Sequence, residues 1–144
     1  MRNEDTVNLL RECNAGVKMG VATIDEVLPH VKSKKMETVL NECKQRHERI
    51  GNQTHELLAE HGVDGKEPNP IAKGMSWMKT NMTLTFNETD TSIADIMTDG
   101  CNMGMKSLRR YLNQYSTASD DAKNVTKKLI EQEQQLVNDL SIYL

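Results

Sequence analysis

The residues from Met36 to Leu57 carry the pattern that most constrains the fold of this chain. If this stretch is a helix, the residues spaced three or four apart lie on one face of it. That face is apolar at its two ends and polar in its middle. That spacing is typical of an α-helix packed against other helices. A histidine on the inner face at mid-helix needs a hydrogen-bonding partner, a water molecule or a ligand. The positions on this face are Met36, Leu40, Cys43, His47, Ile50, Thr54 and Leu57.

The composition favours a single helical domain with an aliphatic interior. Aromatic residues make up 3% of the 144 residues and charged residues 27%, so methionine and aliphatic side chains must fill the core. A chain of this length can bury a substantial core in one domain. The net charge is −3 and both signs are spread evenly, which argues against a nucleic-acid partner.

The sequence favours a cytoplasmic protein with no membrane partner. Its first residues lack the apolar core of a signal peptide, and no apolar run reaches the length of a membrane span. The three cysteines, Cys13, Cys43 and Cys101, lie far apart and include no Cys-x-x-Cys pair. We therefore expect reduced thiols that act as small buried apolar residues.

Apolar spacing and capping residues predict five helices in one domain that spans residues 1–144. We expect Asn3 to cap the first helix, Pro29 to end it and Asp90 to cap the fourth. The predicted ranges are 3–28, 33–62, 70–86, 90–115 and 119–143.

The first two predicted helices must form an antiparallel hairpin because few residues separate them. Pairing Ile24 with Met36 then places Asn14 beside His47 at one level of the bundle. The long connection after residue 62, with its own short helix, can run from one end of a bundle to the other. An up-down-up-down bundle with the short helix across one end is the alternative.

Two stretches of the chain resemble ferritin-like bundles of unknown function found in bacteria. Residues 70–81, PIAKGMSWMKTN, resemble the crossover segment of that family, and residues 93–108 with 111–115 resemble its third helix. The resemblance implies an all-α, ferritin-like four-helix bundle of two antiparallel hairpins, with a short extra helix in the connector between helices 2 and 3. No established activity comes with this resemblance.

The di-iron centre of the wider ferritin-like group is not expected here. That centre uses glutamates and two Glu-x-x-His pairs. The residues three positions before the four histidines are Val27, Lys44, Asn52 and Leu58, and none is a carboxylate. Iron of this type needs several carboxylate oxygens together with imidazoles, so we expect no cofactor.

Polar residues near the middle of each long helix predict a polar layer inside the bundle. Such a layer could hold a metal ion, water or a small polar ligand, or could only fix the register of the helices. The last interpretation is favoured because one imidazole with amides makes a poor metal site. If Glu133 approaches His47, the protonated imidazole is favoured. The members of the layer are Asn14, His47, Asn102 and either Gln132 or Glu133.

A single metal ion remains the alternative cofactor. Cys43 and His47 lie one helical turn apart and could donate two ligands from one face, with Glu133 as a third candidate. A buried structural thiol is the simpler interpretation of Cys43.

Glycines in the middle of two predicted helices form Gly-x-x-x-Gly pairs, Gly16/Gly20 and Gly100/Gly104. Each interior glycine costs about 1 kcal/mol relative to alanine. Close contact between helices is one compensating gain, and a cavity left for a ligand at the bundle centre is the other.

The sequence therefore favours a structural, stress-related or partner-binding protein over an enzyme, and an enzyme with a small unrecognised site is a third interpretation. No nucleophile elbow, phosphate loop or nucleotide fingerprint occurs in it. The alternative is a degenerate metal- or redox-linked relative of the ferritins that uses a polar site around His47. Trp77 lies off the main apolar face of its short helix, where an indole suits a subunit contact, so we expect a homodimer.

Overall fold

The computed structural model describes residues 3–63 and 89–144, and these form a bundle of four long α-helices. Short 3-10 turns follow the first helix at Leu28–His30 and the last at Ser141–Tyr143. Within the described ranges there is no strand, and no helix is long and apolar enough to span a membrane. The helix predicted for 70–86 lies outside the described residues. The four helices are α1 (Glu4–Val27), α2 (Lys34–Glu60), α3 (Asp90–Gln114) and α4 (Asp120–Leu140).

Short polar side chains begin three of the helices. Asn3, Ser33 and Ser119 each accept a hydrogen bond from the backbone N–H three residues later, at the starts of α1, α2 and α4. They satisfy backbone donors that have no partner inside the helix. Pro29 lies in the 3-10 turn just after α1, because proline lacks the N–H that a continuing helix would use.

The predicted cap of α3 is wrong by one residue. Thr89 caps α3 and forms a capping box with Ser92. Asp90 is the first residue of the helix, and its carboxylate accepts hydrogen bonds from the backbone N–H groups of Lys32 and Ser33, both at 2.9 Å. Asp90 thus ties the α1–α2 connection to the start of α3.

Contacts at the other end of the bundle fix the directions of the helices. There the Asn3 side chain donates to the carbonyl oxygen of Thr117 at 2.9 Å, and the Thr6 hydroxyl accepts from the N–H of Ser119 at 2.8 Å. The start of α1 therefore lies beside the α3–α4 connection. Since Asp90 lies at the opposite end, α2 and α3 run in the same direction, and the chain leaves α2 and enters α3 at opposite ends of the bundle.

Two apolar clusters fill the interior, one on each side of a polar centre. Along α2, Cys43 belongs to one cluster and Ile50 to the other, with His47 between them. Along α4, Leu136 and Leu129 flank Glu133 in the same way. The two clusters thus form most of the core, and His47 and Glu133 lie between them near the middle of the bundle.

The register between α1 and α2 differs from the predicted one by about two turns. Asn14 donates to the Thr54 hydroxyl at 2.9 Å, seven residues beyond the predicted neighbour His47. Gly20 faces His47 instead, since a Cβ built on Gly20 would lie 2.9 Å from the imidazole carbon Cδ2. The 3-10 turn at Leu28–His30 continues from the end of α1. The chain therefore reverses direction later than in a tight hairpin, and α2 begins beyond the end of α1.

Replacement of Asp90 by alanine should lower the free energy of unfolding by about 1–2 kcal/mol, because two backbone N–H groups lose a charged acceptor. Urea denaturation followed by circular dichroism measures the change. Asp95→Ala, at an exposed position of the same helix, is the matched control and should change stability by less than about 0.5 kcal/mol. Equal effects of the two variants would contradict the assigned role of Asp90.

Candidate functional site

The centre of the bundle holds an ion pair between α2 and α4. Nε2 of His47 lies 3.6 Å from Oε1 of Glu133, and the two residues are only 2% and 7% exposed. Of the two sequence candidates on the last helix, Glu133 is the buried one and Gln132 is half-buried. His47 and Glu133 are the polar residues that the structure brings together.

The other ring nitrogen of His47 contacts its own helix. Nδ1 lies 3.0 Å from the carbonyl oxygen of Cys43 and 3.5 Å from the Cys43 sulfur. Burial alone would lower the pKa of His47. The contacts with Cys43 and Glu133 outweigh this effect and raise the pKa to about 10. The protonated ring donates Nδ1–H to the carbonyl and directs Nε2–H toward the carboxylate. His47 is therefore a buried cation at neutral pH.

The cysteines are buried and unpaired, as predicted. Burial raises the pKa of Cys101 well above its usual value, and the nearby Glu133 carboxylate raises it further. Burial likewise raises the pKa of Cys13 to about 12, although a hydrogen bond with Thr126 acts in the opposite direction. Thiols of this kind stay protonated at neutral pH and are poor nucleophiles.

The remaining members of the predicted polar layer lie elsewhere. Asn14 is buried but bonds to Thr54, away from His47. Gln132 lines a groove between α2 and α4 together with Arg46. Asn102 is exposed, so its predicted inward position is wrong. Consecutive residues on a helix point about 100° apart, and the residue before it, Cys101, takes the inward position.

The candidate metal ligands do not converge on one point. Cys43 contacts Nδ1 of His47, whereas Glu133 faces Nε2 on the other side of the ring. One ion cannot bind both ring edges, so these three residues cannot form one site with the ring as it stands. Within residues 3–63 and 89–144, no group of three His, Cys, Asp or Glu side chains is arranged to hold a metal. A di-iron centre of the ferritin-like type needs several carboxylates and two histidines, whereas His47 and Glu133 supply one imidazole and one carboxylate.

Two glycines make room for the ion pair. A Cβ on Gly20 would lie 2.9 Å from His47 Cδ2, and a Cβ on Gly104 would lie 3.0 Å from Glu133 Oε2. Both distances are shorter than ordinary van der Waals contact between such atoms. Gly20 thus allows the His47 side chain to lie close to the backbone of α1, and Gly104 allows the Glu133 side chain to lie close to the backbone of α3.

A cleft between α1 and α3 leads to the ion pair. It contains a cavity of about 30 Å³ beside His47 and Glu133, and a larger one of about 110 Å³ that Glu133 also lines. Gly16 and Met19 line both cavities. The smaller cavity has room for about one water molecule, so of these two cavities only the larger can hold a bigger ligand.

Sequence reasoning missed two residues of this cleft. Glu12 and Tyr111 line the larger cavity, and the Tyr111 hydroxyl and the Glu12 carboxylate share a hydrogen bond. Nothing in the sequence pairs Tyr111 with Glu12, because the two residues lie on helices that are far apart in the chain. The Gly-x-x-x-Gly pairs were the available signal, because they predict open space at this level of the bundle.

Gly20→Ala should lower the free energy of unfolding by about 1–3 kcal/mol, because its methyl group overlaps the His47 ring. Gly16→Ala makes the same chemical change where the nearest atom, Leu129 Cδ2, would lie at an ordinary 3.5 Å. That variant should raise stability by up to about 1 kcal/mol through helix propensity alone. Urea denaturation of the two variants measures the difference, and a gain in both would contradict the close approach of His47 to α1.

The stability of the protein should fall as the pH rises from 6.5 to 8.5. The pKa of His47 is near 6.5 in an unfolded chain and about 10 in the folded protein. The folded state therefore holds the extra proton, and the ion pair's contribution is complete below pH 6.5 and is lost toward pH 10. We expect a decrease of roughly 1 kcal/mol per pH unit in that range, measured by urea denaturation.

The double variant His47→Leu/Glu133→Leu is the control for this pH dependence, because it removes both partners and leaves no buried charge. Its stability should fall much less steeply than that of the wild type over this range, because the main change left is the titration of cysteine thiols in the unfolded chain near pH 8.5, which both proteins share. Equal slopes in the wild type and the double variant would show that His47 does not hold the extra proton.

Comparisons with known proteins do not assign the chain to a family. No family model matches the chain, and searches of curated proteins and of solved structures find no match either.

Proposed function

We propose that this chain is a non-enzymatic, ferritin-like bundle without a di-iron centre, and that it binds a small partner molecule in the cleft between α1 and α3. Of the predicted structural, stress-related and partner-binding roles, the last has the most support from the described residues. The parallel directions of α2 and α3 support the ferritin-like assignment, because two hairpins joined by one long crossover define that arrangement.

The observation that carries the proposal is the glycine at position 16. Gly20 and Gly104 are needed because a side chain there would meet His47 or Glu133. Gly16 has room for a methyl group, with its nearest neighbour at an ordinary 3.5 Å, yet it forgoes about 1 kcal/mol of helix propensity. Packing does not account for this glycine. Gly16 borders both cavities, so a need for open space accounts for it.

The chemistry of the polar centre supports a binding role over an enzymatic one. Nε2 of His47 faces the Glu133 carboxylate at 3.6 Å, so each group already has the other as its partner and neither is directed at a substrate. The neighbouring Cys101 thiol stays protonated because burial raises its pKa. A protein that only holds a molecule in the cleft needs none of these groups to react.

A metal- or redox-linked role is the second candidate. The contact between the Cys43 sulfur and Nδ1 of His47, at 3.5 Å, favours it, because thiol sulfur and imidazole nitrogen are the ligand types that bind zinc and copper in proteins. This role has less support because Cys43 is only 1% exposed and Glu133 faces the opposite edge of the ring.

Homodimerisation and a cytoplasmic location stay predictions. Trp77, the residue that suggested a subunit contact, lies outside the described residues. Ile142 and Leu144 are large apolar side chains that are 67% and 59% exposed near the end of α4, and they offer a second surface suited to such a contact.

Binding in the cleft can be tested with protein that carries labelled methionine methyl groups, because Met19 and Met103 line the larger cavity. A panel of neutral, cationic and anionic compounds of up to about six non-hydrogen atoms, a size limit set by the cavity, is titrated and followed by NMR. At least one compound should shift the Met19 and Met103 signals.

The Gly16→Leu variant fills the space between the two cavities and should abolish these shifts. Ala59→Leu, the same kind of enlargement at an exposed position of α2, should respond as the wild type does. Gly16→Ala, which fits without displacing a neighbour, should weaken the response in a fully folded protein. The proposal fails if no compound shifts these signals, or if the Gly16 variants respond like the wild type.

A further inference from the structure

The larger cavity combines an apolar wall with two carboxylates. Met19 and Leu108 contribute apolar surface from α1 and α3, and Leu108 is only 3% exposed. Glu12 lines the cavity from α1, and Glu133 reaches it from α4. A molecule in this space therefore meets apolar side chains and negatively charged oxygens together.

The charges around the cavity do not cancel. Glu133 is paired with the His47 cation. Glu12 is half-buried, its bond is with the neutral hydroxyl of Tyr111, and burial raises its pKa. Arg110 acts on the Tyr111 hydroxyl from an exposed position, where solvent and salt screen its charge. No lysine, arginine or histidine is among the residues that line this cavity in the described part of the chain, so its wall presents carboxylate oxygens and no cationic side chain.

The size of the cavity limits what can balance that charge. An apolar cavity of about 150 Å³ holds benzene, which has six non-hydrogen atoms. The volume of about 110 Å³ therefore suits a molecule of about four or five such atoms. A bare inorganic cation would leave the surface of Met19 and Leu108 uncovered, and an anion would be repelled by Glu12.

We propose that the larger cavity binds a small primary alkylammonium ion, with its charged end between Glu12 and Glu133 and its hydrocarbon chain against Met19 and Leu108. An ammonium group has three N–H donors, which match the two carboxylates and the Tyr111 hydroxyl oxygen. This inference rests on the proposed binding function and names its ligand class.

Three compounds of similar shape test the inference: butylammonium chloride, 1-butanol and sodium butyrate. Each is titrated into the full chain at pH 7, and the Met19 and Met103 methyl signals report the dissociation constant. Butylammonium should bind about tenfold or more tightly than 1-butanol, because charge-assisted hydrogen bonds add to the same apolar contact. Butyrate should not bind.

Variants at the charged end of the cavity separate charge from shape. Glu12→Gln keeps the shape of the side chain and should weaken butylammonium binding by about tenfold, while 1-butanol binding stays unchanged. Tyr111→Phe keeps both carboxylates and should weaken it by a smaller factor. Glu60→Gln, the same substitution at an exposed position of α2, should have no effect.

The outcomes distinguish this inference from the function on which it rests. If 1-butanol binds the wild type as tightly as butylammonium does, or if Glu12→Gln leaves butylammonium binding unchanged, the ammonium class is wrong while the cleft still binds a ligand. If butyrate binds most tightly, the sign of the charge is wrong. If neither these three compounds nor the wider panel binds, the proposed function fails as well.

Discussion

The structure depends on a buried ion pair that joins α2 to α4 between two apolar clusters. Two isolated charges at this depth would be strongly unfavourable. They are tolerated because His47 and Glu133 lie 3.6 Å apart and the second ring nitrogen bonds to the Cys43 carbonyl. The pair also sets local requirements on other helices, since Gly20 and Gly104 must lack side chains where the imidazole and the carboxylate approach. One interaction thus restricts residues on all four helices.

The same pair links the polar centre of the bundle to the cleft beside it. It presents a fixed carboxylate at the inner end of the cleft, where Glu12 adds a second one from α1. A polar group held in place by its neighbours loses little conformational freedom when a ligand arrives. The cleft therefore combines an apolar wall with acceptors that are already oriented.

Much of the fold could be predicted from the sequence because helices and their caps are local. Apolar spacing located α1, α2, α3 and α4 and placed His47 inside, but it left Gln132 and Glu133 as alternatives, and the structure buries Glu133. The register between α1 and α2 could not be predicted, because the 3-10 turn at Leu28–His30 displaces one helix along the other without any change in spacing. Asn102 was misplaced because two adjacent residues compete for one inward direction, and packing decides between them. Glu12 and Tyr111 are distant in sequence, so only the tertiary fold brings them to one cavity.

The shared direction of α2 and α3 has a consequence for how the chain assembles. Each hairpin is closed by residues near in sequence, and such local closure is fast and carries a small entropic penalty. Docking of one hairpin on the other must instead bring together groups as distant as Asn3 and Thr117, or Ser33 and Asp90. His47 and Glu133 belong to different hairpins, so their charges stay hydrated until this docking occurs. Burial of the ion pair and completion of the cleft therefore both depend on the packing of one hairpin against the other.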